Sequence, residues 1–362
     1  MISSRIFQSV LLTACWVALV HAGSSHQLLG KQTDDPKTPS QQKRQDADAT
    51  ILKSPKTSDP ARRKKRDDHS ADAPDEGPTY SNPVRTKWKV TARIRGASTP
   101  AVDMLIAIPL PVDWPEQSVA EVEDGIPPEI TNVKYRELNS RVNQLLVKIP
   151  QVGANQEIMI SKTFLIATSQ INAPPEPSVF KRPKTSHRQG KEYVGVGPLL
   201  NFRDSKLRKQ VKAITADKED PWSEVEALYD WVRDNIEDDN EQPRELSKIL
   251  KHQTGCTEDK VRLFVGMCRA HKIPARVVWV EGTQYAEFML VDSEKNAYWF
   301  PCTVGGIREF GSISEPRIVL QKGDSINVPE KPGRQKFVAE FATCKGKKKP
   351  TVKFYRQLLP AD

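Results

Sequence analysis

Trp88, Val90, Ala92 and Ile94 alternate with Lys87, Lys89, Thr91, Arg93 and Arg95, a two-residue period that predicts a half-buried strand. Further strands are expected at 104–108, 145–149 and 158–165, set apart by breaks such as Pro109-Leu110-Pro111 and Gly125-Ile126-Pro127-Pro128. Short strands with such breaks predict a small antiparallel β-sandwich over 86–170. The period then changes. Asp220-Pro221 joins an N-cap residue to proline at the first helical position, and Val225, Leu228, Tyr229, Val232 and Ile236 follow on one stripe. A second helix is expected from about Gly255 to His271, stopped by Ile273-Pro274. Strands should follow at 276–280, 286–291 and 298–302, with a last hairpin joining 337–341 to 352–355. A helix followed by antiparallel strands is an α+β pattern.

The N-terminal region reads differently. Arg5, the apolar run from Ile6 to Val20 and the small-residue site before Gly23 make residues 1–22 a signal peptide cleaved near Ala22. The run is shorter than a membrane span. Leu12-Thr13-Ala14-Cys15 also fits a lipoprotein box, so lipidation at Cys15 is the minor alternative to a secreted or periplasmic protein. Residues 23–85 lack the apolar side chains that offset ordering entropy and read as a disordered linker.

The net charge of +9 is unevenly placed: residues 331–362 hold nine Lys/Arg against two acidic residues, and 86–330 are close to neutral. This argues against a nucleic-acid partner. Two basic runs, Arg62–Arg66 and Lys345–Lys349, are candidate contacts with an anionic envelope surface. Four cysteines follow the predicted signal, none spaced as C-x-x-C, so no structural zinc is expected. A disulfide between Cys302 and Cys344 is one expectation. No cofactor and no metal are implied.

Candidate chemistry concentrates between Gly255 and Thr303. Gly255-Cys256-Thr257-Glu258-Asp259, Leu263-Phe264-Val265, Cys268-Arg269-Ala270, Ile273-Pro274-Ala275-Arg276 and Trp299-Phe300-Pro301 stand in register, after Trp231-Val232-Arg233-Asp234-Asn235-Ile236. This pattern resembles the transglutaminase-like superfamily. The resemblance implies a transglutaminase-like core of the papain-like cysteine protease type over 186–312. It also implies an accessory β-sandwich before the core and a basic, β-rich C-terminal tail over 313–362, as in exported bacterial proteins. Its chemistry would be acyl transfer on amides, by a cysteine at a helix start, a histidine base and an orienting Asp.

Carried over position by position, those three posts fall on Thr257, Thr283 and Thr303. Cys256 lies one residue early, and no histidine follows His271. A 100° step around an ideal helix turns Thr257 toward the sheet and Cys256 toward Lys260 and solvent. The helix N-terminus should lower the Cys256 pKa. His252, four residues upstream, is a substitute base. A thiol without a base cannot open an amide, so a catalytically inactive peptide- or protein-binding or structural envelope module is expected. The alternative is a thiol-dependent amidase, protease or transamidase with Cys256 as nucleophile. Arg276 is expected to pair with Glu287, and Glu287 with Asp259 is a candidate carboxylate couple. Trp279, Tyr285, Tyr298 and Trp299 are candidate groove walls or core.

Overall fold

Tyr80 to Pro83 show no alternation, yet the first long strand, β1 (Thr79–Arg95), already includes them. The computed structural model describes residues 51–52, 77–239 and 241–361. The predicted signal peptide, Cys15, the Arg62–Arg66 run and most of the predicted linker lie outside these. Residues 79–85, expected in that linker, are held instead by backbone pairing to the far end of β6 (Glu157–Asn172), with Tyr80 opposite Ile171. Main-chain pairing of this kind leaves no apolar trace in a sequence.

β1 and β6 belong to a four-stranded sheet with β3 (Gln117–Gly125) at one edge. The facing sheet holds β2 (Ala101–Leu110), β4 (Val133–Leu138) and β5 (Val142–Val152), with Ile51–Leu52 at its edge. Trp88, Ile94, Ile106, Leu145, Val147 and Phe164 fill the space between the sheets.

Four helices follow: α1 (Ser205–Ile214), α2 (Pro221–Asn235), α3 (Leu246–His252) and α4 (Thr257–Ala270). The Asp220 carboxylate caps α2 by accepting from the amides of Trp222 (2.9 Å) and Ser223 (3.0 Å). α4 is buried along most of its length, against β7 (Ala275–Val280), β8 (Thr283–Val291) and β9 (Ala297–Thr303). These strands form an antiparallel sheet bounded by Glu309–Phe310 and by β10 (Val319–Lys322). The Trp222 ring meets Phe288, Phe300 and Phe310 at 5.0–5.5 Å and locks α2 onto that sheet.

The predicted tail over 313–362 is not a separate part. β10 completes the core sheet, and the next two strands return to the sandwich. β11 (Phe341–Lys345) pairs with β2, and β12 (Thr351–Leu359) pairs with β1 through nine residue pairs. The expected hairpin between 337–341 and 352–355 does not form, because the two segments join opposite sheets. The expected bridge between Cys302 and Cys344 is absent for the same reason. Cys302 packs in the helical core and Cys344 against the sandwich, and all four described cysteines are free thiols.

Sandwich and core are stitched together. Ile171 and Ile313 exchange backbone hydrogen bonds at 3.0 and 2.8 Å, and the Gln117 amide bonds both backbone groups of Val319. Beneath them the Lys322 ammonium bridges Glu116 of the sandwich and Glu287 of the core, each at 2.6 Å. No helix among the described residues is long and apolar enough to cross a membrane.

Candidate active-site cleft

A cleft of about 530 Å³ opens where the start of α4, the first residue of β8 and the last residue of β9 meet the sandwich junction. Thr257, Thr283 and Thr303 all line it, over an apolar floor that includes Ile171, Val280, Ile313 and Val319. Thr257 is exposed. Gly305 leaves room beside it, since a Cβ there would stand 3.6 Å from Thr257 Cγ2. Thr283 enters after a two-residue turn, Glu281-Gly282, in which Gly282 has φ +82°.

Thr303 is the most firmly held of the three. Its carbonyl accepts from Tyr229 Oη at 2.9 Å and Arg233 Nη1 at 3.2 Å. Its hydroxyl donates to Glu309 Oε2 at 3.0 Å, and Ser314 N donates to Glu309 Oε1 at 2.8 Å. Tyr229, which the sequence places only on an apolar stripe, also accepts from Glu309 N at 3.0 Å. Burial pushes its phenol up to about 12, so it stays protonated and donates. Glu309 and Ser314 are cleft residues that sequence reasoning misses. They follow the last motif of the pattern, and only the pairing of Thr303 with Glu309 brings them in.

Cys256 does not line the cleft. It is the N-cap of α4, half-buried, with φ −69° and ψ 170°. Thr257 thus faces the ends of the sheet strands, as expected, whereas Cys256, expected nearer solvent, is half-buried. The 100° step applies only between helical residues, and Cys256 is an extended cap residue outside that geometry. The expected drop in its pKa is reversed. Burial raises it, and the Asp259 and Glu258 carboxylates add to the rise against the pull of their own amides.

His252 is exposed at the end of α3, where Gln253 turns the chain with φ 56°. Among the described residues no histidine is hydrogen-bonded to Cys256. His271 closes α4, about 22 Å away along the helix at 1.5 Å per residue. Its Nε2 lies 2.8 Å from Arg182 Nη2 and 3.2 Å from Glu224. The cleft lining contains neither a cysteine nor a histidine.

Asp259 and Glu287 do not form a couple. Asp259 accepts from the Arg244 amide at 2.9 Å and from the Arg262 guanidinium. Glu287 accepts from Arg276 Nε at 2.7 Å and Lys322 Nζ at 2.6 Å, which makes the Arg276–Glu287 pairing real. The Arg276 guanidinium lies 3.8 Å from the Trp299 ring centroid. Of the four aromatic candidates Tyr285 lines the cleft, whereas Trp279, Tyr298 and Trp299 do not. Among the described residues no His/Cys/Asp/Glu group is arranged to hold a metal ion.

With this geometry in view, residues 208–306 match the transglutaminase-like superfamily. These residues form a transglutaminase-like domain. The fold is similar to that of a "putative cysteine protease" from Cytophaga hutchinsonii, at 15% identity and a TM-score of 0.50. That likeness covers 79% of this chain and 94% of the other. A "putative protease" from Parabacteroides distasonis is also similar, at 12% identity and a TM-score of 0.25, over 60% of this chain and 47% of that one. No curated protein matches. At these identities the likeness speaks for the fold alone: an α+β chain with a transglutaminase-like core.

Proposed function

We propose that this protein is an exported, non-catalytic transglutaminase-like module whose cleft binds an extended peptide or protein segment. The observation that carries the reading is the cleft itself, with threonine at positions 257, 283 and 303 and no thiol or imidazole in its lining. Acyl transfer needs a nucleophile and a base that touch each other and the substrate. A threonine hydroxyl without a base stays protonated. The Thr303 hydroxyl faces a carboxylate that Ser314 already shares. A recognition surface survives such a loss, because shape and chemistry reside in different residues. The cleft volume lies within the range of ligand sites, and hydroxyls above an apolar floor suit a peptide backbone with small side chains. Export rests on the signal pattern of residues 1–22.

The test is selection of peptides on the full chain, followed by calorimetry of the best binder. Thr283→Arg, which fills the cleft, should weaken that binder at least tenfold, while Cys256→Ala leaves it unchanged. Saturable labelling of Cys256 by a thiol-directed amide mimic, lost in both Cys256→Ala and His252→Ala, would overturn the proposal in favour of a thiol amidase.

A further inference from the structure

The far end of the sandwich gathers cations that the sequence scatters. Arg95 ends β1 opposite Thr351, and Arg93 stands opposite Lys353 of β12. Lys347, Lys348 and Lys349 occupy the turn between β11 and β12, where Gly346 packs on Ala101. Two further loops meet there, with Gly96 N donating to Gln156 O at 2.7 Å and Asn155 N to Ala97 O at 2.9 Å. The three loops, 96–100, 153–156 and 346–350, contain no acidic residue.

Neutralisation at this end is incomplete, although Glu129 lines a groove here with Lys148 and Gln156. Glu157 binds Arg93 at 2.7 Å and is also felt by Arg95, and Asp103 takes Lys345 at 2.9 Å. Lys348 binds, among the described residues, only the Ser98 hydroxyl, at 3.0 Å. Among the described residues Arg95, Lys347, Lys349 and Lys353 form no ion pair. Apolar side chains stand among them: Met159, opposite Arg93, is 57% exposed, and Val102, opposite Lys345, is 43% exposed.

We propose that this end of the sandwich docks on an anionic phospholipid surface. Lysine and arginine head groups would sit at lipid phosphates while Met159 and Val102 enter the head-group boundary. A single-stranded nucleic acid would call for aromatic rings between the cations, and the three loops carry none. The placement leaves the cleft free. Tyr80 pairs with Ile171 of the cleft lining, whereas Arg95 lies fifteen residues further along β1, roughly 50 Å at 3.3 Å per residue.

The experiment is sedimentation of the full chain with vesicles of phosphatidylglycerol and phosphatidylcholine, against phosphatidylcholine alone. Binding should require phosphatidylglycerol and fall as salt rises. The triple variant Lys347→Gln, Lys349→Gln, Lys353→Gln should lower partitioning about tenfold or more, and the matching Lys→Arg variant should bind as the wild type does. The proposal is overturned if the Lys→Gln variant partitions like the wild type. It is also overturned if both lipid mixtures bind equally, if neutralising Arg62–Arg66 alone removes the binding, or if a single-stranded oligonucleotide binds this patch more tightly than the vesicles do.

Discussion

Thr303 Oγ1 donates to Glu309 Oε2 at 3.0 Å, across the pair that joins β9 to the short strand Glu309–Phe310. A carboxylate thus stands beside Thr303, but it comes from the next segment and meets a hydroxyl. Thr303→Val removes that donor from a half-buried carboxylate, and a loss of about 1 kcal/mol in urea unfolding is expected. An unchanged midpoint would show that solvent already serves Glu309.

The raised pKa of Cys256 has a kinetic signature. At pH 7–8 its thiolate fraction should fall below that of an unperturbed cysteine, whose pKa is 9.0. Alkylation by iodoacetamide, mapped by mass spectrometry, should therefore lag a model peptide and keep accelerating above pH 9. Thr257→Cys places a thiol on the cleft and should label faster than Cys256. A Cys256 rate that levels off below pH 8 would contradict the geometry described above.

Burial alone would raise the pKa of Glu287, but Arg276 and Lys322 outweigh it and the net shift is downward from 4.5. A depressed carboxylate contributes stability that is present above its unfolded pKa and is lost as pH falls through the folded one. The loss belongs to the window below about pH 4.5. Glu287→Ala leaves two buried cations without their shared partner and should cost about 3–5 kcal/mol, measured by denaturant unfolding at pH 7. A variant as stable as the wild type would mean that Glu116 alone holds Lys322.

His271 is shifted downward from 6.5, first by burial and then by Arg182, against the upward pull of Glu224. The unfolded chain then binds the proton more readily, so this contribution is complete above pH 6.5 and is lost as pH drops below it. Comparing His271→Gln with wild type between pH 7.5 and 5, the variant should show the flatter stability profile. Parallel profiles would show that His271 titrates normally.

Local patterns were readable and distant partners were not. The alternation from Lys87 to Arg95, the Asp220-Pro221 cap and the apolar stripe of α4 each express one element's own period, and each element formed. The three threonine positions came from register within one contiguous block, and the cleft brings them together. By contrast, nothing local says that Thr351–Leu359 lies beside Thr79–Arg95 or that Lys322 reaches back to Glu116. A strand's period reveals its faces and not its neighbour. The partial burial of Cys256 escaped for another reason, because a cap residue is not bound by helical geometry.

The pairing of β12 with β1 also sets an order of events during synthesis. The whole helical domain is made between the first strand of the sandwich and the strand that lies beside it. At 5–20 residues per second, β1 waits roughly 13–50 s on the ribosome for its partner, about 260 residues later. During that interval a long, exposed backbone edge is open to mispairing, so the nascent chain should depend on chaperones more than the finished molecule does.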